Sequence, residues 1–184
     1  MRKPSVTSSV LTALFSALII AGTFIRIPIP PVPVTLQTLF VYLAVLILGP
    51  LQGALCMAVY LFLGLAGLPV FTAGGGPAAL FGPTGGFLFA MLLGAPPAGL
   101  IAFITGNRPR WWLDALALLL YTFLIYLGGT LWFMFRLPGY TLTETLAVTC
   151  LPFLPGDALK IVLAVILSGR LRPSVAQSLA DRDC

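Results

Sequence analysis

Apolar residues fill most of this chain in long runs, and short clusters of glycine, proline and charged residues separate the runs. A membrane-spanning helix needs roughly 20 mostly apolar residues. Read against the Gly/Pro breaks, the runs predict spans at residues 10–25, 35–49, 51–66, 87–106, 112–134 and 145–168. The pattern therefore predicts an all-α integral membrane bundle of six transmembrane helices, with residues 1–184 forming a single transmembrane domain.

The composition agrees with this prediction, because 59% of the residues are hydrophobic and 8% are charged. No water-soluble domain has a surface with that balance, so membrane lipid is the expected solvent. The net charge of +5 falls between the apolar runs, which indicates membrane topology and not a nucleic-acid partner. The chain contains neither a P-loop motif nor an H-E-x-x-H zinc motif. We expect a protein that is not an enzyme and that has no metal and no cofactor.

The distribution of basic residues predicts the orientation, since lysine and arginine accumulate in cytoplasmic loops. Placing the N-terminus inside puts two basic residues, Arg26 and Arg136, in outer loops. The inner side then collects Arg2, Lys3, Arg108, Arg110, Arg170, Arg172 and Arg182. Both termini are therefore expected in the cytoplasm.

The predicted outer side carries the longer connections, a proline-rich segment at 26–33 and a glycine-rich loop at 67–86. Loops longer than about 12 residues are usually functional, so the long Gly-rich outer loop is expected to act as a lid or a re-entrant binding loop. A slack connection is the alternative. Gly74 and Gly75 would let the backbone approach a ligand closely, although glycines also permit tight turns.

Asp157 and Lys160 are the conspicuous charges inside the predicted spans, and otherwise the bilayer region is expected to hold almost no charge. A lone charge at the bilayer centre costs roughly 3 kcal/mol on insertion scales, so such residues usually face the bundle interior and have a function. The prolines before Gly156 predict that a helix restarts there, and i,i+3 spacing then places both charges on one face. They would bind a ligand that is both a hydrogen-bond donor and an anion. The alternative is a buried salt bridge that only neutralises itself.

Two weaker patterns remain open. Thr35 and Gln37 follow the proline-rich segment and would reach the same cavity, although a threonine at a helix start is more often a cap. Ala13 and Ala17 belong to a small-xxx-small ridge on the first span. Such ridges let helices approach closely, and this one would serve either a partner protein or a neighbouring helix.

Four segments, in order along nearly the whole chain, resemble the biotin-specific S component of energy-coupling factor (ECF) transporters, the BioY family. They are Arg26-Ile27-Pro28-Ile29-Pro30-Pro31-Val32-Pro33-Val34-Thr35-Leu36-Gln37, Gly64-Leu65-Ala66-Gly67-Leu68-Pro69-Val70-Phe71, Gly82-Pro83-Thr84-Gly85-Gly86 and Pro152-Phe153-Leu154-Pro155-Gly156-Asp157-Ala158-Leu159-Lys160.

The resemblance implies a six-helix subunit in a prokaryotic plasma membrane that captures biotin from outside. Its implied partners are a transmembrane coupling protein, which Ala13 and Ala17 would contact, and cytoplasmic ATPases. The substrate-binding candidates are Asp157, Lys160, Thr35, Gln37, Gly74, Gly75, Thr84 and Phe87. The family often carries an asparagine among the loop glycines and a tyrosine after the Gly-Gly turn, where this chain has Gly74–Pro77 and Phe87.

Two other functions are compatible with charges in a span. A stand-alone carrier of biotin or a small carboxylate would be driven by protonation of Asp157 or by rearrangement of its pair with Lys160. An intramembrane aspartyl protease would need a second facing aspartate. The candidate for that second aspartate, Asp114, lies at the opposite membrane face in the predicted topology, which disfavours the protease.

Overall fold

The computed structural model describes residues 6–28, 32–104 and 106–180, and helices dominate these segments. Arg2, Lys3 and Arg182 lie outside the described residues, so their position on the inner side of the membrane stays a prediction. The elements in chain order are α1 Val6–Phe24, β1 Arg26–Ile27, β2 Val34–Thr35, α2 Gln37–Leu48, α3 Pro50–Leu65, α4 Pro77–Leu80, α5 Gly85–Ala102, α6 Trp111–Arg136, α7 Leu142–Thr149 and α8 Leu154–Ala180.

Three of the described helices, α1, α5 and α6, are long and apolar enough to cross a membrane. A fourth candidate span is the pair α7 and α8, which meet at 48° across a short break. Helices α2 and α3 are apolar but shorter. Large hydrophobic side chains such as Leu14, Phe123 and Ile166 are exposed on α1, α6 and α8, as expected for surfaces that face lipid. The chain is therefore a predominantly helical protein with several candidate membrane spans.

The predicted sixth span differs most from the structure. The sequence predicts a span over 145–168 with a helix restart at Gly156, whereas in the structure α7 ends at Thr149 and α8 begins at Leu154, two residues before the predicted restart. Pro152 lies in the gap and has no N–H to continue the hydrogen-bond ladder of α7, whereas Pro155 in the first turn of α8 is tolerated. Helix α8 then continues to Ala180, beyond the predicted end.

The two predicted loops also contain local structure. Strands β1 and β2 form a short antiparallel pair, with Arg26 opposite Thr35. Thr35 therefore lies in a strand, and the cap interpretation of this residue is wrong, since α2 has Leu36 at its N-cap. The glycine-rich segment contains α4, and its last two glycines begin α5. At Gly86 a Cβ atom would lie 2.1 Å from the Trp132 Cβ, so glycine is required for α5 to pack against α6.

Helix α2 lies at the centre of the described bundle, in contact with α1, α3, α5 and α8. Every residue from Val41 to Leu48 is buried, which explains why α2 is apolar on all sides. Its first turn, with Gln37 and Thr38, is the polar exception. That turn faces the first turns of α8, because Thr38 is hydrogen-bonded to Lys160.

A second buried ion pair corrects the expectation that Asp157 and Lys160 are alone. Arg172 Nη2 lies 2.7 Å from Asp114 Oδ1, and both side chains are almost completely buried. Arg172, which the sequence predicts on the inner side beyond the last span, lies within α8 with its guanidinium over the ring of Phe103. An arginine just beyond an apolar run has the same sequence pattern whether it is exposed or buried, so its burial could not be predicted from the sequence.

Candidate functional site

A cavity lies among α2, α3, α5, α6 and α8, and residues 32, 33, 35 and 71–73 from the two loops close one side of it. The empty space among its lining residues, counted together with the part open to solvent, is about 730 Å³. Most of its wall is apolar, with a few polar groups. The lining residues are Val32, Pro33, Thr35, Gln37, Thr38, Tyr60, Phe71, Thr72, Ala73, Ala79, Thr84, Phe87, Leu88, Met91, Ile125, Tyr126, Phe153, Asp157 and Lys160.

Asp157 and Lys160 meet in this cavity, as the sequence predicts. Asp157 is in the first turn of α8, where the helix dipole favours a carboxylate. Lys160, one turn later, donates from Nζ to Asp157 Oδ1 at 2.8 Å. The two residues are 4% and 6% exposed, so the pair is enclosed by protein on all sides but the cavity.

Two further side chains complete the polar cluster, and sequence reasoning missed both. Thr38 on α2 accepts a hydrogen bond from Lys160 Nζ at 2.9 Å and donates a longer one, 3.4 Å, to Asp157 Oδ1. Tyr126 on α6 donates from its hydroxyl to Asp157 Oδ2 at 2.7 Å. Three helices therefore hold this one carboxylate in place. The one sequence feature that could have indicated both residues is a hydroxyl within an apolar helix. Many hydroxyls with a purely structural role have the same feature, so it does not identify a binding site.

This geometry determines what the pair can offer a ligand. An ammonium has three donors, and Lys160 uses two of them on Thr38 and Asp157. A carboxylate has about four lone-pair positions, and Asp157 receives three hydrogen bonds. The pair thus has about one donor and one acceptor to spare while its net charge is zero. Such a pair suits a polar but neutral group that both donates and accepts hydrogen bonds.

The other predicted site residues divide into two groups. Thr35, Gln37, Thr84 and Phe87 all line the cavity. The amide nitrogen of Gln37 is 3.7 Å from the Met91 sulfur.

Gly74 and Gly75, in contrast, are not among the lining residues. The backbone of Phe71 pairs with that of Gly74, so Thr72 and Ala73 form the tip of a tight turn that reaches the cavity. Gly74 has a φ of +106°, a conformation that favours glycine. A Cβ on Gly75 would lie 2.3 Å from the Leu68 carbonyl oxygen. These glycines therefore shape the turn, and a ligand contact through them stays a prediction.

The alanine ridge of α1 lies on the surface of the chain. Ala13 and Ala17 are exposed, whereas Phe15, Ser16 and Ile19 form the buried side of this helix. No helix in the described part of the chain covers the ridge. Of the two alternatives for it, a neighbouring helix within this chain is therefore excluded for the described residues.

Comparisons with known proteins agree with one another. A model of the BioY family matches residues 1–177. The chain is 38% identical over 160 residues to the biotin transporter BioY of Thermotoga maritima, covering 86% of this chain and 92% of that one. It is 41% identical over 163 residues to a probable biotin transporter BioY of Pyrococcus horikoshii, covering 88% and 94%.

A solved structure is similar as well. It is described as the S component for biotin from an ECF-type ABC transporter, and it superposes with a TM-score of 0.82 at 33% sequence identity. The superposition covers 91% of this chain and 92% of that one. These relatives are named as transporters or transporter components, not as enzymes.

Proposed function

The chain belongs to the BioY family, and we propose on this premise that it is the biotin-binding subunit of a vitamin uptake transporter. The observation that carries the proposal is the cavity with its buried, hydrogen-bonded pair of Asp157 and Lys160, in a chain that matches biotin transporters over most of its length. The subunit captures biotin and passes it on without any catalytic step of its own.

The chemistry of biotin suits this cavity. Biotin has a cyclic urea with two N–H donors and one carbonyl acceptor, an apolar bicycle and a carboxylate tail. The spare acceptor of Asp157 and the spare donor of Lys160 match a urea. The apolar wall, which includes Phe87, Leu88 and Met91, provides a surface against which the bicycle can pack.

The proposal includes a membrane arrangement. The six spans are α1, α2, α3, α5, α6 and the bent pair of α7 and α8, which form a single domain over residues 1–184. The termini lie in the cytoplasm of a prokaryotic cell, and the cavity with its loops, including the glycine-rich one, faces outward. The support is the excess of lysine and arginine on one side and the position of the loop residues at the cavity.

The proposal also includes partners, because the chain has no P-loop motif with which to hydrolyse ATP. A transmembrane coupling protein and cytoplasmic ATPases supply the energy, as the context of the similar ECF component suggests. The exposed ridge of Ala13 and Ala17 is the surface on which the coupling protein packs. Small side chains permit the close helix approach that such a contact needs in lipid.

Equilibrium binding of labelled biotin to the purified chain, without ATP or partners, tests the function. Hydrogen bonds to charged groups contribute about 1.5–3 kcal/mol, so Asp157→Asn and Lys160→Ala should each weaken binding roughly ten- to a hundredfold. Arg136→Ala, which removes an exposed cation at the end of α6, is the matched control and should bind like the wild type. A folded wild-type chain that binds no biotin would rule the proposal out.

A further inference from the structure

The cavity contains no unpaired cation among its described lining residues. The formally charged residues of the lining are Asp157 and Lys160, and at 2.8 Å they neutralise each other. Biotin is an anion at neutral pH because its tail ends in a carboxylate. The pair has no net charge with which to offset that carboxylate, and Lys160 is held by Thr38 and Asp157. A ligand carboxylate placed against the pair would therefore lack a counter-ion of its own, and a cation elsewhere at the cavity is the better partner.

Arg26 is placed to be that partner. It pairs across the short β-ladder with Thr35, and its Nη1 donates to the backbone carbonyl of Thr72 at 2.6 Å. Thr35 and Thr72 both line the cavity, on the side closed by the two loops. The guanidinium thus contacts the loop side of the cavity at Thr72, where the loop side is defined as Pro33, Thr35, Thr72 and Ala73.

The guanidinium also has the capacity to bind an anion. It carries five N–H donors in a fork that matches a carboxylate, and one hydrogen bond, to Thr72, is found in the described part of the chain. No acidic side chain among the described residues pairs with it. Because Arg26 is exposed, its charge remains hydrated until a ligand arrives, and no buried charge is created when the ligand leaves.

Arg26 and the buried pair belong to different parts of the cavity wall. Arg26 contacts the loop residue Thr72, whereas Thr38 and Lys160 belong to α2 and α8. Because Thr72, Thr38 and Lys160 all line the same cavity, a ligand with a neutral head and an extended anionic tail suits this arrangement.

We propose that Arg26 is the carboxylate-binding residue of this site and that it selects ligands with an anionic tail. This inference rests on the proposed function and deepens it. The buried pair holds the neutral head of the ligand, and Arg26 binds the tail at the loop side of the cavity. Its hydrogen bond to Thr72 also fastens the β1–β2 hairpin to the 71–74 turn, so the residue that recognises the tail joins the two loops.

Binding of two probes to the purified chain tests the proposal: biotin, and biotin amide, which has the same head and an uncharged tail. The wild type should prefer biotin by roughly ten- to a hundredfold, the contribution expected of a charge-assisted hydrogen-bonded pair. Arg26→Gln should lose this preference by weakening biotin binding while leaving amide binding nearly unchanged. Because the arginine is exposed, added salt should reduce the wild-type preference.

Arg136→Gln is the matched control, since Arg136 is also exposed and should not affect either probe. If Arg26→Gln weakens both probes equally, Arg26 acts only through the loop contact with Thr72, and the proposal is overturned. The proposal also fails if the variant binds both probes like the wild type, although biotin binding by the wild type would then still support the proposed function. Failure of a folded wild-type chain to bind biotin would instead remove the function itself.

Discussion

The buried pair of Asp114 and Arg172 permits a quantitative prediction about stability. Arg172 donates to Asp114 Oδ1 at 2.7 Å and to the Ala102 carbonyl at 3.3 Å, and its guanidinium carbon lies 4.7 Å from the centre of the Phe103 ring. Ser168 adds a weaker hydrogen bond, at 3.5 Å, to the other carboxylate oxygen. Three helices or their ends, α5, α6 and α8, meet at this cluster.

Replacing Asp114 by asparagine keeps the shape of the side chain and removes its charge. Arg172 is then buried without a counter-ion, which costs about 3–5 kcal/mol in comparable cases. At about 2–4 °C for each kcal/mol in a chain of this size, the melting temperature should fall by roughly 6–20 °C. Biotin affinity of the folded fraction should stay the same, because neither residue lines the cavity.

Thermal unfolding of the purified chain in detergent measures the shift. Glu144→Gln is the control, since Glu144 is exposed and a glutamine preserves its capping box; a change below about 1 kcal/mol is expected. The double variant Asp114→Leu/Arg172→Met removes both charges and should recover most of the lost stability. If Asp114→Asn melts with the wild type, or the double variant is no more stable than the single one, the reasoning from burial is refuted.

Two further predictions concern binding and uptake. Tyr126→Phe removes the 2.7 Å hydrogen bond to Asp157 Oδ2, so it should cost about 1–3 kcal/mol of stability and also weaken biotin binding, because the carboxylate is no longer held in place. Thermal unfolding and isothermal titration measure the two effects, and an unchanged affinity would mean that Tyr126 does not position the carboxylate. Ala17→Leu should leave biotin binding intact and abolish uptake in cells that express the coupling protein and ATPases. Uptake by cells that express this chain alone, if an uncoupler stops it, would instead favour the stand-alone carrier.

The span prediction depends on a physical constraint that is local in sequence. A helix that crosses lipid must be a long apolar run. Helices α1, α2, α3, α5 and α6 accordingly begin and end within a few residues of the predicted positions. The largest difference at an N-terminus is in α1, which begins at Val6 instead of the predicted Val10. The break between α7 and α8 was harder to place, because two prolines and a glycine follow one another and only tertiary packing decides where the new helix begins. The end of α8 was missed because its last turns are polar, and hydropathy does not detect such turns.

The candidate site was predictable where the signal lies within one segment. Asp157 and Lys160 are close in sequence and share a helix face by spacing alone. Thr38 and Tyr126 were not predictable, because their contact with Asp157 joins α2 and α6 to α8 across 119 and 31 residues. Single-sequence reasoning sees such hydroxyls as polar positions without a partner, and only the packing of the three helices gives them one.

Helix α8 carries both members of one buried ion pair, Asp157 and Lys160, and one member of the other, Arg172. The two pairs differ in their access to a ligand. Lys160 and Arg172 are 12 residues apart, about 18 Å along a helix. Lys160 keeps a donor that faces a cavity, whereas the Nε of Arg172 is buried without a partner and no ligand can reach it. A charge within a span is therefore not by itself evidence of a binding site. The criterion that distinguishes the pairs is spare hydrogen-bonding capacity at an accessible surface, and Asp157, Lys160 and Arg26 meet it.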